Sequence, residues 1–255
     1  VKPKAIKAGK VGAIMHEVLL MGRPLDSVAV RYGPECFKSN GSLQSSTHKS
    51  RVEFHQNLQD NQWAVKGPEF DGLANMLSWL QGQPLIELIS KASAREEIVH
   101  WEDDQHKYRM RSDFWHKLNA HQAIIYDLKF TGEVKPNRFW RTARDFRYWL
   151  QDAHYTEGLK ANLGVSEVKF VFIAIEDAFP WRIAHYAYDE ISRENAQAER
   201  QKILDGITEC RRTGDWHDPW TKTTNDLRFD NYESQQDELD WGEEEAEPDK
   251  ERMPF

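Results

Sequence analysis

The stretch Ala-Ile-Ile-Tyr-Asp-Leu-Lys-Phe, at residues 123–130, decides the fold class. Its apolar first half predicts a strand, and its second half carries two charges at alternate positions, Asp127 and Lys129. Residues two apart in a strand point to the same face, so both charges share a face at the end of an apolar strand. The stretch therefore predicts either an ordinary salt bridge at a strand end or a reactive pair.

Hydrophobic patterns on both sides of this strand predict an α/β domain. Apolar or alternating segments predict four further strands, at residues 94–101, 108–115, 168–175 and 183–188. Amphipathic spacing predicts helices at residues 11–21, 71–91 with an interruption at Pro84, 138–155 and 189–212. The order of these elements favours a single α/β domain with a central mixed sheet flanked by helices.

Two of these helices also predict which side chains are buried. In the helix at 138–155, apolar residues at steps of four and three form one continuous stripe, made of Phe139, Ala143, Phe146, Leu150 and Ala153. In the helix at 189–212, the inner side is expected to consist of Ile191, Ala198, Ile203 and Ile207.

The net charge of −8 is concentrated at one end of the chain. Residues 231–255 contain ten acidic and two basic residues, so the remainder of the chain is neutral overall. A segment with so many acids and so few apolar residues cannot bury enough surface to fold. The sequence therefore predicts one folded domain at residues 1–230, followed by an acidic, disordered tail at residues 231–255.

The cysteine count and the hydropathy exclude several classes of protein. The two cysteines, Cys36 and Cys210, are far apart and cannot supply a four-cysteine zinc or iron–sulfur site. No apolar stretch reaches the ~20 residues that a membrane span needs. We therefore expect a protein of the reducing cytoplasm that has no membrane partner.

A third charged residue, Asp113, ends the strand that precedes the stretch at 123–130. If the two strands are neighbours, Asp113, Asp127 and Lys129 converge. Two carboxylates can hold a divalent cation such as Mg²⁺ through oxygen ligands, and the cation lowers the pKa of a bound water. A lysine beside that water can orient it or take its proton. These three groups form a minimal set for phosphodiester hydrolysis.

The sequence resembles the PD-(D/E)XK nuclease superfamily and, within it, the RecE-type exonucleases (exodeoxyribonuclease VIII). The resemblance covers residues 16–220 and rests on an ordered series of motifs, which are MHEVLLMGRP, REEIVHWEDD, YRMRSDFW, AIIYDLKFT, FRYWLQDAHYTEGL and ECRRTGDWHDPW. It implies a restriction-endonuclease-like domain. The sequence departs from many relatives at Phe130, where they carry a small hydroxyl residue.

The resemblance also implies a role for particular residues. The ligands of Mg²⁺ or Mn²⁺ would be His16, Asp113, Asp127 and the backbone carbonyl of Leu128. The other site residues would be Lys129 beside the attacking water, Glu97 in support of the metal site, and Gln151 and Tyr155 on an adjoining helix. Gln151 and Tyr155 share a helix face because they are four residues apart.

Basic residues after the lysine strand are candidates for contact with DNA. The helix at 138–155 contains Arg141, Arg144 and Arg147. Residues three apart turn progressively around a helix, so the arginines cannot all face one groove. Some would contact phosphates, and the alternative is a solvated charged face.

The resemblance implies a metal-dependent exonuclease that degrades double-stranded DNA from 5′ ends in recombination or repair. It also implies a ring-shaped homo-oligomer and a single-strand annealing protein as a partner. Two alternatives stay open, namely an endonuclease or resolvase with the same chemistry and a catalytically inactive DNA-binding relative. The residues alone do not distinguish these functions.

Overall fold

The computed structural model describes residues 8–216. Its elements are α1 (Ala8–Leu19), α2 (Leu25–Val28), β1 (Ala29–Arg31), α3 (Lys49–Gln56), β2 (Trp63–Val65), α4 (Gly67–Gln81), α5 (Pro84–Ser90), β3 (Ala94–Glu102), β4 (Lys107–Lys117), β5 (Gln122–Thr131), α6 (Pro136–Asp145), α7 (Tyr148–Leu163), β6 (Glu167–Glu176), β7 (Ile183–Tyr186) and α8 (Glu190–Thr213). Over residues 8–216, no helix is both long enough and apolar enough to cross a membrane. The predicted tail at residues 231–255 lies outside the described residues.

The central sheet is mixed and has five strands in the order β3-β4-β5-β6-β7. Strands β5 and β6 are parallel, whereas the other neighbouring pairs are antiparallel. The parallel pair requires a crossover, and α6 and α7 provide it. All five strands coincide with predicted strands, whereas the short parallel pair β1-β2 was not predicted.

Helices cover both faces of this sheet, which confirms the predicted fold class. On one face, a buried apolar cluster joins α1, α4 and α5 to the sheet and includes Ile14, Met76, Leu85, Phe114 and Ile173. On the other face, a second cluster joins α6 and α7 to the sheet and includes Phe139, Leu159, Met110, Ile125 and Phe170. Strands between two helical layers are buried on both faces, which explains why β6 is almost continuously apolar.

The helix predicted at residues 138–155 is in fact two helices, α6 and α7. The chain breaks at Arg147, whose φ is +52°. Phe146, predicted to be part of the buried stripe, is 72% exposed. The break turns Tyr148 toward the sheet instead, where its ring stacks on Phe172 at a centroid distance of 5.3 Å. The prediction of one continuous stripe was therefore wrong, because the core takes Tyr148 rather than Phe146.

The inner side of α8 also differs from the prediction. Ile191 and Ile203 are 72% and 41% exposed, and the buried residue of the helix is Ala196. The helix contacts the rest of the domain through polar groups, as when Arg193 Nη2 donates to the carbonyl of Val168 at 2.8 Å. A helix held by such contacts does not need an apolar stripe.

The chain divides into two structural units within α8, residues 1–208 and residues 209–255. The described part of the second unit is residues 209–216. There α8 ends at Thr213, and Gly214 follows in the left-handed conformation with φ +73°. The NH of Gly214 donates to the carbonyl of Cys210 at 2.9 Å, which closes the last helical turn.

Replacement of Gly158 in α7 by alanine is expected to destabilise the domain by about 1–3 kcal/mol. A Cβ atom there would lie 2.6 Å from Trp101 Cζ3 and 3.0 Å from Met110 Sδ. Trp101 has little room to move, since its ring stacks on Tyr108 at 5.2 Å. Denaturant unfolding measures the change. The control is Gly72→Ala in α4, where the new Cβ meets nothing within 4 Å, so helix propensity should add about 0.5–1 kcal/mol. Equal effects at both positions would contradict the described packing.

Candidate active site

The candidate site lies where β4 and β5 separate. The two strands pair as far as Phe114 and Tyr126, after which β4 pairs with β3 alone and β5 with β6 alone. Asp113 lies at the split, and its Oδ2 accepts a hydrogen bond from the backbone NH of Leu128 at 2.6 Å. A carboxylate thus replaces the bond that a regular ladder would make, and it is held between the two strands. We call this region the fork.

Strand β3 brings Glu96 to the fork. The register of β3 on β4 puts Glu96 opposite Asp113, where the ladder is interrupted. Glu96 has φ +51°, a left-handed conformation that costs a non-glycine residue about 1–2 kcal/mol. Its Oε1 lies 3.4 Å from His16 Nδ1, and its Oε2 lies 3.0 Å from Arg111 Nε. Strain at a largely buried carboxylate of this kind indicates a functional constraint.

The structure places Glu96 in the fork, rather than the predicted Glu97. Glu97 Oε2 instead accepts a hydrogen bond from the indole Nε1 of Trp115 at 2.8 Å. The reason is a shift in the alternation of β3. Ala94 and Val99 pack in the same apolar cluster, although a regular strand would put them on opposite faces. The left-handed residue at position 96 absorbs this shift.

Helix α1 contributes His16, as predicted from the resemblance. His16 Nε2 lies 3.4 Å from Asp113 Oδ2 and 3.3 Å from the carbonyl oxygen of Leu128. The ligand atoms of His16, Glu96 and Asp113 all lie within 4.8 Å of one another. One imidazole nitrogen, two carboxylate oxygens and a nearby carbonyl form a donor set that divalent cations accept. These residues therefore fit a divalent cation.

Asp127 and Lys129 form a second group beside this cluster, on the strand that was predicted to carry them. Lys129 Nζ lies 2.6 Å from Asp127 Oδ2 and donates to Gln151 Oε1 at 3.0 Å. Gln151 Nε2 in turn donates to Asp127 Oδ1 at 2.5 Å. The ammonium group also lies 4.6 Å above the ring of Tyr148. Helix α7 thus fixes both the acid and the lysine through Gln151.

Buried negative charge shifts the pKa values in the fork. Burial, followed by the charge of Asp127, raises the pKa of Asp113 to about 7. Burial alone would lower the pKa of His16, but its hydrogen bond with Glu96 and the charges of Asp113 and Asp127 outweigh burial and raise that pKa to about 9. Both shifts reflect an excess of carboxylates over positive charge, which a bound cation would relieve.

The pKa of Lys129 is also raised. Burial alone would lower it, but the carboxylate of Asp127 more than compensates. Lys129 is therefore an ammonium group at neutral pH, with donor hydrogens but no lone pair. It is suited to stabilise developing negative charge and to orient a water.

Tyr155 lies further along the same face of α7 as Gln151. It is half-buried, and its ring meets Phe170 edge-on at 6.1 Å. Burial, followed by the charges of Asp127 and Asp113, raises the pKa of its phenol. Tyr155 therefore adjoins the carboxylates, as the resemblance implied.

The three predicted DNA-contacting arginines are all exposed, but they do not share one helix. Arg141 and Arg144 lie on α6, where Arg144 Cζ is 5.1 Å from the ring of Trp140. Arg147 lies at the break between α6 and α7, with Nη1 3.8 Å from Glu199 Oε1. All three arginines thus remain accessible to a ligand.

A pocket of about 440 Å³ opens over the cluster on the α1 side of the sheet. Its wall includes His16, Glu96, Arg111 and Lys129, together with Trp63 from β2. The cluster and the ammonium group can therefore meet the same ligand.

Comparison with known proteins agrees with this geometry. A family model described as a PDDEXK-like domain of unknown function (DUF3799) matches residues 4–225. No curated protein sequence matches significantly.

Two solved structures are similar to the chain. The first is a protein from Eubacterium rectale described as a candidate exonuclease, with 13% identity and a TM-score of 0.52 over 89% of this chain and 78% of that one. The second, SSO0001, has 17% identity and a TM-score of 0.27 over 54% of this chain and 61% of that one. At this identity, the first match bears on the fold alone.

Proposed function

Because the chain belongs to the family of PDDEXK-like domains, we propose that it is a nuclease that uses Mg²⁺ or Mn²⁺ to hydrolyse phosphodiester bonds of double-stranded DNA. We propose further that it acts as a 5′ to 3′ exonuclease. The family match supports nuclease chemistry, and the resemblance to RecE-type exonucleases supports the direction and the substrate.

One observation carries the proposal, namely that the fork brings two kinds of group together. His16, Glu96 and Asp113 supply a cluster of cation ligands. Lys129 supplies an ammonium group next to Asp127, whose charge also raises the pKa of Asp113. A salt bridge at a strand end would explain Asp127 and Lys129 alone, but not the strained Glu96 or the histidine.

The residues of the fork have distinct tasks in this reaction. A divalent cation bound to His16, Glu96 and Asp113 neutralises charge on the phosphate and supplies a water of lowered pKa. Lys129 donates a hydrogen bond to that water or to a phosphate oxygen, where charge develops in the transition state. Asp127 and Gln151 hold the ammonium group in place.

Asp127 adjoins the cation cluster and is a further candidate ligand, as the resemblance implies. In the structure its two oxygens face Lys129 and Gln151. We propose that Asp127 links the cation cluster to the lysine, since it alone touches Lys129 and also acts on Asp113 and His16 through its charge.

Digestion of linear and closed-circular duplex DNA with Mg²⁺ or Mn²⁺ tests the proposal. We expect linear DNA to be degraded and closed circles to persist, because an exonuclease needs an end. Labels at the 5′ or 3′ terminus then report the direction, and early release of the 5′ label is expected. Cleavage of closed circles would favour the endonuclease alternative, and binding without hydrolysis would favour the inactive relative.

We extend the proposal to the protein's role and assembly on the resemblance alone. A role in DNA recombination or repair, a ring-shaped homo-oligomer and a single-strand annealing partner would accompany a RecE-type activity. Light scattering of the purified chain measures its oligomeric state, and a monomer at micromolar concentration would contradict the ring.

A further inference from the structure

A second pocket, of about 500 Å³, lies on the opposite side of the fork, between α7 and α8. Its wall includes Phe146, Arg147, Gln151 and Arg200. Gln151 also bonds Asp127 and Lys129, so the pocket adjoins the reactive groups directly. We call it the Phe146 pocket.

The lining of the Phe146 pocket suits an anion that carries a flat apolar group. Its charged side chains are the guanidinium groups of Arg147 and Arg200, and no carboxylate belongs to the described lining. The ring of Phe146 is 72% exposed beside them. Nucleotides combine a phosphate with a flat base, and bases stack on aromatic side chains whatever their sequence.

A path of stacked rings joins this pocket to the lysine. The ring of Phe146 stacks on Tyr148 at a centroid distance of 5.9 Å and an interplanar angle of 18°. Lys129 Nζ lies 4.6 Å from the centre of the same Tyr148 ring. A base stacked on Phe146 would therefore belong to a nucleotide close to the phosphate that Lys129 contacts.

The exposure of Phe146 depends on a strained backbone. Arg147 adopts φ +52°, at a cost of about 1–2 kcal/mol for a non-glycine residue. A continuous helix would have avoided this strain and would have placed Phe146 in an apolar stripe. The chain instead presents a large aromatic ring to solvent beside two arginines.

We propose that the Phe146 pocket binds unpaired nucleotides at the end of a DNA strand, with a base stacked on Phe146 and phosphates on Arg147 and Arg200. This inference rests on the proposed nuclease function and names the part of the substrate held on the α7 side of the fork. Paired bases inside a duplex hide their faces in the stack, so the pocket selects strands whose ends are open.

Fluorescence of 2-aminopurine tests the inference with the full chain in EDTA, where hydrolysis is blocked. One probe is a duplex with a single-stranded 5′ overhang carrying 2-aminopurine, and the other is a blunt duplex of the same length. We expect the overhang probe to be quenched on binding, because its base stacks. Phe146→Leu should abolish the quenching and weaken overhang binding about tenfold without weakening blunt binding.

Two further variants separate stacking from structural damage. Phe146→Trp restores an aromatic surface and should restore both the quenching and the affinity. Phe179→Leu is the matched control, because Phe179 is 80% exposed but lies outside the pocket. It should behave like the wild type.

The outcomes distinguish this inference from the proposed function. If the wild type hydrolyses DNA and Phe146→Leu binds the overhang as tightly as the wild type does, the inference is overturned and the nuclease proposal stands. If Phe146→Leu and Phe179→Leu weaken both probes equally, the stacking role is overturned as well. If the wild type neither binds nor hydrolyses DNA, the proposed function fails, and the inference fails with it.

Discussion

Replacement of Lys129 by methionine is expected to lower the rate of phosphodiester hydrolysis about a thousandfold, in the range found when a donor to transition-state charge is removed. Methionine keeps the length and the apolar stem of lysine but not the ammonium group. Asp127 keeps its hydrogen bond from Gln151 at 2.5 Å, so we expect the fold and DNA binding to persist. Single-turnover hydrolysis measures the rate, and circular dichroism with a DNA-binding assay checks the fold.

The matched control is Lys169→Met. Lys169 belongs to a triplet of the same pattern, Glu167-Val168-Lys169, but it is exposed on β6. We expect this variant to retain full activity. Equal loss of activity in both variants, or full activity in Lys129→Met, would remove the lysine from the reaction.

Asp113→Asn is expected to abolish metal-dependent hydrolysis and also to stabilise the metal-free protein. The asparagine oxygen can still accept the hydrogen bond from Leu128, so the fork keeps its geometry. The variant removes a buried carboxylate whose pKa is raised to about 7 by burial and by Asp127. At pH 8 we expect the melting temperature to rise by roughly 2–8 °C, as about 1–2 kcal/mol would produce in a domain of this size.

A saturating divalent cation should have the opposite effect on the two proteins. In the wild type, a cation at a hundred times its dissociation constant adds about 2.7 kcal/mol and raises the melting temperature. The Asp113→Asn protein should lack most of this increase. Asp145→Asn, at an exposed position on α6, is the control and should match the wild type. A metal-induced increase that survives in Asp113→Asn would place the cation elsewhere.

The fold was largely predictable, because period-two alternation and buried apolar runs mark each strand of the central sheet. The short pair β1-β2 carries no such signal, since each strand has three residues. The break at Arg147 was not predictable for another reason. The spacing of Phe139, Ala143 and Phe146 fits one helix well, and only the contact of Tyr148 with β6 decides otherwise.

The site was predictable where residue type and strand position agree, as for Asp113, Asp127 and Lys129. His16 required the family resemblance, because nothing near it in sequence indicates its partners. Glu96 could not have been chosen over Glu97 from sequence. Which of the two adjacent acids enters the fork depends on a left-handed backbone conformation, and that conformation depends on the strands on either side.

Crystals grown with Mn²⁺ and measured at the manganese absorption edge test the central claim most directly. The account predicts one anomalous peak in the fork, within about 2.1–2.6 Å of side-chain atoms of His16, Glu96 and Asp113. It would be contradicted by crystals that contain manganese at another site while these three side chains keep only their mutual contacts.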